Sequence, residues 1–307
     1  MLRQRLLTGS ILIASLLLAL WADGPASRAI PADALPWWTG GREGIVVAAL
    51  GILLLAPLMG RELAAMLRGA GIAAPTWLTV LAAVAGAAAV RVAAVAPGTG
   101  ASAAILAGTA WAVLALALVV HTRGQQVPGA MAATAGTVLA FTYLGLMLGC
   151  WMLVRNLIGP WGLAGAVLTV KASDMGAYFT GMAIGRHKMI PWLSPAKSWE
   201  GLAGGIAASA AVGGVLAWLA AGSLPECHAL TVPVGIGVGL AAGLLGPFGD
   251  LAESLFKRNA AMKDSGSVLP GMGGALDVLD SPLLAGPGVL AILMFAGIGS
   301  LPCCGTP

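Results

Sequence analysis

Nine apolar stretches, near residues 5–22, 43–60, 76–96, 102–121, 129–154, 160–184, 201–222, 231–252 and 284–302, each approach or exceed the ~20 residues that a helix needs to cross a bilayer. A water-soluble domain spends about 25% of its residues on charge. Here 9% are charged and 59% hydrophobic, with a mean hydropathy of +0.93. The stretches are continuous and do not alternate with period two, which favours helices that satisfy their own backbone over a transmembrane barrel. The expected fold is all-α and polytopic, with about nine transmembrane helices and a polar site in the C-terminal half. With no internal repeat and no long linker, residues 1–307 read as a single membrane domain. Its first part, 1–160, serves as scaffold spans, and 160–307 carries the chemistry.

Arg3 and Arg5 precede the first stretch, an arrangement shared with signal peptides. The segment that follows lacks a convincing small-residue cleavage site, so a retained anchor is the simpler expectation. Counting lysines and arginines on alternate sides of nine spans gives a strong bias. Arg3, Arg5, Arg61, Arg68, Arg123, Arg186, Lys188, Lys197, Lys257, Arg258 and Lys263 share one side, against Arg28, Arg42, Arg91 and Arg155 on the other, with Lys171 inside a span. By the positive-inside rule the richer side, with the N-terminus, is cytoplasmic. The net charge of +4 reflects this bias. No basic run interleaved with aromatics points to nucleic acid. Cys150, Cys227 and the adjacent Cys303 and Cys304 have no metal-site spacing and read as incidental.

Of the twelve acidic residues, Asp174, Glu200, Glu226, Asp250, Glu253, Asp264, Asp277 and Asp280 all fall between residues 171 and 282. Ionisable groups in or beside a span are costly and are functional candidates by default. Asp250 opens "DLAESLFKR"; if that stretch is helical, Asp250, Ser254 and Lys257 share one face. Such a stripe suits a metal ion and a phosphate together, or, more plainly, an amphipathic helix end with a snorkelling lysine. The segment "KDSGSVLPGMGGALDVLDSP", Lys263 to Pro282, adds Lys263 and Asp264 at one end and Asp277 and Asp280 at the other. Gly271, Gly273 and Gly274 let the backbone come close to a ligand with its N–H groups free. Oxygen donors without histidine or thiolate favour Mg²⁺, which binds through one or two carboxylates plus substrate phosphates. Together these residues read as a nucleotide-phosphate site, the alternative being a solvated loop.

Two further clusters face the same side. In "KASDMGAYFTG", Lys171 precedes Asp174 by one turn, as an ion-pair partner or part of the site. In "SPAKSWEG", Lys197 and Ser198 stand just before the seventh span and Glu200 near its start, where an acid is favoured. A helix N-terminus beside a lysine also holds phosphate.

The stretch Gly249 to Ser281, "GDLAESLFKRNAAMKDSGSVLPGMGGALDVLDS", resembles the C-terminal signature of phosphatidate cytidylyltransferases, the CDP-diacylglycerol synthases. That signature runs S-x-x-K-R, four residues, K-D, then P-G-H-G-G and D-R-x-D. Ser254, Lys257, Arg258, Lys263, Asp264, Pro270, Gly271, Gly273, Gly274, Asp277 and Asp280 occupy its positions, and "SDMGAYFTG" and "SPAKSWEG" are similar to two further family segments in the same order. The resemblance covers roughly residues 173–282. It implies a polytopic enzyme of the inner (cell) membrane with a cytoplasmic site, joining CTP to phosphatidate with a divalent metal. Asp250 and Asp277 are then metal ligands, with Ser254 and Lys257 beside them as catalytic groups. Lys197, Ser198, Arg258, Lys263, Asp264, Gly273, Gly274, Asp280 and Asp174 then bind substrate, and membrane lipid is the medium. A second cation and a homodimer are left open. The chain departs from the pattern at Met272, where the family has histidine, and at Val278, where it has arginine. Another lipid substrate, a low-activity paralogue and a cation-coupled transporter are the competing readings.

Overall fold

In lipid no water is available to backbone polar groups, so an apolar run of span length folds as a helix that closes its own hydrogen bonds. A computed structural model describes residues 2–31, 34, 43–96, 98–123, 128–223 and 230–298. Asp33, Arg42, Glu226, Cys227, Cys303 and Cys304 lie outside the described residues. Eight helices there are long and apolar enough to cross a membrane: α1 (Leu2–Ala29), α2 (Ile45–Gly69), α3 (Thr76–Val95), α4 (Gly98–Thr122), α5 (Ala130–Ile184), α6 (Trp199–Ser223), α7 (Val232–Asn259) and α8 (Ala275–Phe295). A short antiparallel hairpin, β1 (Lys188–Ile190) and β2 (Ser194–Ser198), joins α5 to α6. The chain is an all-α, multi-pass membrane protein. Large apolar side chains such as Leu53, Trp111 and Leu168 point outward, as lipid-facing positions do.

Eight helices against nine expected spans is explained by α5. At 1.5 Å per residue a straight helix of 55 residues would reach about 80 Å, far beyond a hydrocarbon core of ~30 Å. It breaks at Gly159, whose φ of 72° and ψ of 175° are open to glycine but not helical. Pro160 follows, with no N–H to continue the ladder. The parts before and after Gly159 are the fifth and sixth expected spans.

Two compact units emerge: Met1–Leu153 with Phe256–Leu279, and Val154–Leu255 with Asp280–Pro307. In the first, Gly86 of α3 and Gly145 of α5 sit so close that a Cβ on either would strike the other helix's backbone. Met59, Leu63, Leu78 and Leu144 fill its core, and Tyr143 meets Phe256 edge-on, ring centres 5.5 Å apart. Asp23 of α1, fully buried, accepts hydrogen bonds from Val46 N (2.9 Å) and Val47 N (3.3 Å) at the start of α2. It supplies the cap that Gly44 cannot.

In the second unit α6 and α7 approach through Gly213, Gly235 and Gly239, small residues that let membrane helices touch backbone to backbone. Buried Ser209 Oγ donates to Gly239 O across the contact at 2.8 Å. A Cβ at Gly239 would meet the backbone of Ser209 and Ala210, which cannot swing aside. Gly239→Ala is therefore expected to destabilise by about 1–3 kcal/mol, read as a lower thermal midpoint in detergent. Gly108→Ala on α4, where a Cβ has open space, should not lower it.

Candidate active site

The second unit gathers three carboxylates. Asp250 and Glu253 are i, i+3 neighbours on α7, and Asp280 comes from α8; ligand oxygens of the three lie within 4.8 Å of one another. The residue before Asp250 makes this possible. A Cβ at Gly249 would overlap the Asp280 carbonyl, so glycine there lets the two backbones close. Glu253 is 1% and Asp280 8% exposed, while Asp250 is half-open. Ser281 N donates to Asp280 Oδ1 at 2.6 Å. Like charges this close repel, and a hard cation bound by oxygens is what relieves such a set. With no histidine or thiolate in the group, the donors fit a divalent oxygen-loving ion.

Lysines border this group. Lys197, at the end of β2, pairs with Asp250 Oδ2 at 2.8 Å and donates to Pro247 O at 2.6 Å. The next residue, buried Ser198, caps α6 by accepting from Gly201 N at 3.1 Å. Glu200, in the first turn of α6, accepts from the N–H groups of Arg186 and His187 and pairs with His187 Nδ1 at 2.5 Å, tying the hairpin to the helix start. Lys171 and Asp174 form the expected ion pair at 3.2 Å. Together with Asp250 they are charges close enough to act on Asp280. Ser254 is half-buried one turn beyond Asp250.

The first unit holds the glycine-rich segment. Asp277 lies in the first turn of α8, and its side chain is 10% exposed. Its Oδ2 accepts from Gly274 N (2.7 Å), Ser265 N (2.8 Å) and Ser265 Oγ (2.8 Å), and its Oδ1 from Lys257 Nζ (2.8 Å). An acidic residue three positions into a helix that reaches back to the cap N–H is half of a capping box. Gly273 has a φ of 94°, and a Cβ there would meet the Asp277 carboxylate. The glycines thus make room for a carboxylate of the protein itself. Arg258, Lys263 and Asp264 are exposed around this turn, and Met272 and Val278 are half-buried.

Sequence reasoning missed two residues. Glu253 was visible as an acid one turn after Asp250, on the same helix face. Glu62, from the part of the chain taken as scaffold, is 5% exposed; its carboxylate accepts from Ala275 N and Leu276 N at 2.8 Å each and from Ser265 Oγ at 3.1 Å. Only the arginine before it hinted at anything but an apolar helix.

The model of the cytidylyltransferase family matches residues 3–296. The chain belongs to the cytidylyltransferase family. Phosphatidate cytidylyltransferase of Bacillus subtilis is 36% identical over 152 residues, 48% of this chain and 54% of that protein. Its counterpart in Pseudomonas aeruginosa is 37% identical over 155 residues, covering 50% and 54%. In Chlamydia trachomatis the figure is 41% over 140 residues, covering 45% and 44%. The chain thus spans about half the length of the curated relatives it matches. As a member of the cytidylyltransferase family, it places three family-like segments around two neighbourhoods: the carboxylate group with Lys197, and the Asp277 turn with Lys257.

Proposed function

We propose that the chain transfers the cytidylyl group of CTP to phosphatidate, giving CDP-diacylglycerol and pyrophosphate. The observation that carries the reading is the convergence of Asp250, Glu253 and Asp280 beside Lys197, an oxygen-only cation site inside the segment that resembles phosphatidate cytidylyltransferases. That the relatives are phosphatidate cytidylyltransferases supports the same substrates.

In this reading Asp250, Glu253 and Asp280 would hold Mg²⁺, and Asp277 is a metal ligand by the family pattern. When bound, the ion supplies charge neutralisation at phosphate oxygens. Lys197 keeps the Asp250 carboxylate aimed. Lys257, Arg258 and Lys263 offset the charge that builds on the triphosphate, the contribution expected of fixed cations in phosphoryl transfer. Ser254, Ser198, Asp264, Asp174, Gly273 and Gly274 shape the nucleotide and lipid subsites. A phosphatidate oxygen attacks the α-phosphorus of CTP, the new P–O bond forms, and the bond to the pyrophosphate oxygen breaks. No covalent enzyme adduct is needed.

The chain works as one membrane domain of the inner (cell) membrane, with 1–160 as scaffold and 160–307 supplying the substrate-facing groups. The lysine and arginine bias supports a cytoplasmic side for its N-terminus and site. The test is purified protein in lipid with CTP, phosphatidate and Mg²⁺, following CDP-lipid and pyrophosphate in equal amounts. A folded sample that makes neither would overturn the proposal.

A further inference from the structure

Glu62 stands on α2, in the part of the chain where the sequence shows least chemistry, yet its carboxylate accepts from Ser265 Oγ of the glycine-rich segment and from Ala275 N and Leu276 N of α8. The N–H groups of Ala275 and Leu276 open α8 and have no intrahelical carbonyl to serve. A carboxylate at that end satisfies both and is further favoured by the helix dipole. The surrounding glycines are fitted to it. A Cβ at Gly266 would lie 2.9 Å from Glu62 Oε1, and one at Gly274 2.6 Å from it.

Glu62 also shares a donor with Asp277. Ser265 Oγ is 3.1 Å from Glu62 Oε2 and 2.8 Å from Asp277 Oδ2. One hydroxyl has one proton and serves one of these carboxylates at a time. The two acids are therefore set against each other through Ser265, and the orientation of one depends on the placement of the other.

We propose that Glu62 is a positioning residue for cytidylyl transfer: it fixes the first turn of α8 and Ser265, and through them the Asp277 carboxylate. This rests on the cytidylyltransferase reading above. Glu62→Gln keeps the size but turns one acceptor oxygen into an NH₂ that faces N–H donors. Turnover is expected to fall roughly tenfold, with KM for phosphatidate unchanged. Ser265→Ala, which removes the shared hydroxyl alone, should act in the same direction and carries the test if Glu62→Gln does not fold. In the double variant the loss should be no greater than in the weaker-acting enzyme of the two singles, because both changes work through one carboxylate.

Hydrogen exchange gives a readout independent of chemistry. In Glu62→Gln the amides of Ala275 and Leu276 should exchange faster while those in the middle of α3 do not. Losses that multiply in the double variant, or unchanged turnover per folded molecule, would overturn the positioning role. A wild type without cytidylyl transfer sinks the substrate reading instead. In that case unchanged exchange at Ala275 and Leu276 overturns the hold of Glu62 on the first turn of α8 as well, and faster exchange upholds it.

Discussion

Asp250→Asn is expected to lower cytidylyl transfer by about a thousandfold while leaving the fold intact. The size follows from the several kcal/mol of charge stabilisation that a bound metal contributes to a phosphoryl-type transition state. The intact fold follows from exposure. The Asp250 side chain is 40% exposed against 18% for Lys197, so water reaches the carboxylate side of the pair and its loss costs on the order of 1 kcal/mol. Lys197 also keeps its bond to Pro247 O. The measurement is turnover beside the thermal midpoint of the same sample, with Mg²⁺ titrated in both proteins. A weakened Mg²⁺ response with an unchanged midpoint is the expected pair of results. Turnover within tenfold of wild type would remove Asp250 from the metal site.

What sequence could and could not show divides along physical lines. Span positions were legible because insertion into lipid depends on local composition alone, and even the break in α5 was written as Gly159 followed by Pro160. The common helix of Asp250, Ser254 and Lys257 was legible from i, i+4, i+7 spacing. The hairpin before α6 was not, since strands of three and five residues are too short for a period-two pattern to stand out. Nor were the π-helical stretches Leu50–Leu55 and Ala140–Leu146.

The site itself was half legible. Residue types and order pointed to carboxylates, lysines and glycines in one segment, but not to which carboxylates face each other. Glu253 needed the approach of α8 through Gly249 to meet Asp280. Glu62 lies 203 positions before Ser265, a separation no local pattern spans. The glycines were read as room for a ligand. At Gly273 and Gly274 they are first of all room for Asp277 and Glu62.

Asp277→Asn should behave differently from Asp250→Asn, losing stability as well as activity. Four donors converge on the Asp277 carboxylate. An asparagine can place its oxygen toward Ser265 and Gly274 only by turning its NH₂ toward Lys257 Nζ, a donor against a cation. The Lys257 and Asp277 side chains are 16% and 10% exposed, so water replaces the lost acceptor poorly. Breaking such a pair from one side costs about 3 kcal/mol, seen as a thermal midpoint lower by several degrees.

Replacing both partners removes the mismatch. Asp277→Asn combined with Lys257→Met is therefore expected to regain most of the lost midpoint. Turnover should stay near that of Asp277→Asn, because the carboxylate and the ammonium that serve the triphosphate are both gone. If the double variant regains turnover along with stability, Asp277 acts only as the cap of α8, and the metal reading of the cytidylyltransferase site contracts to Asp250, Glu253 and Asp280.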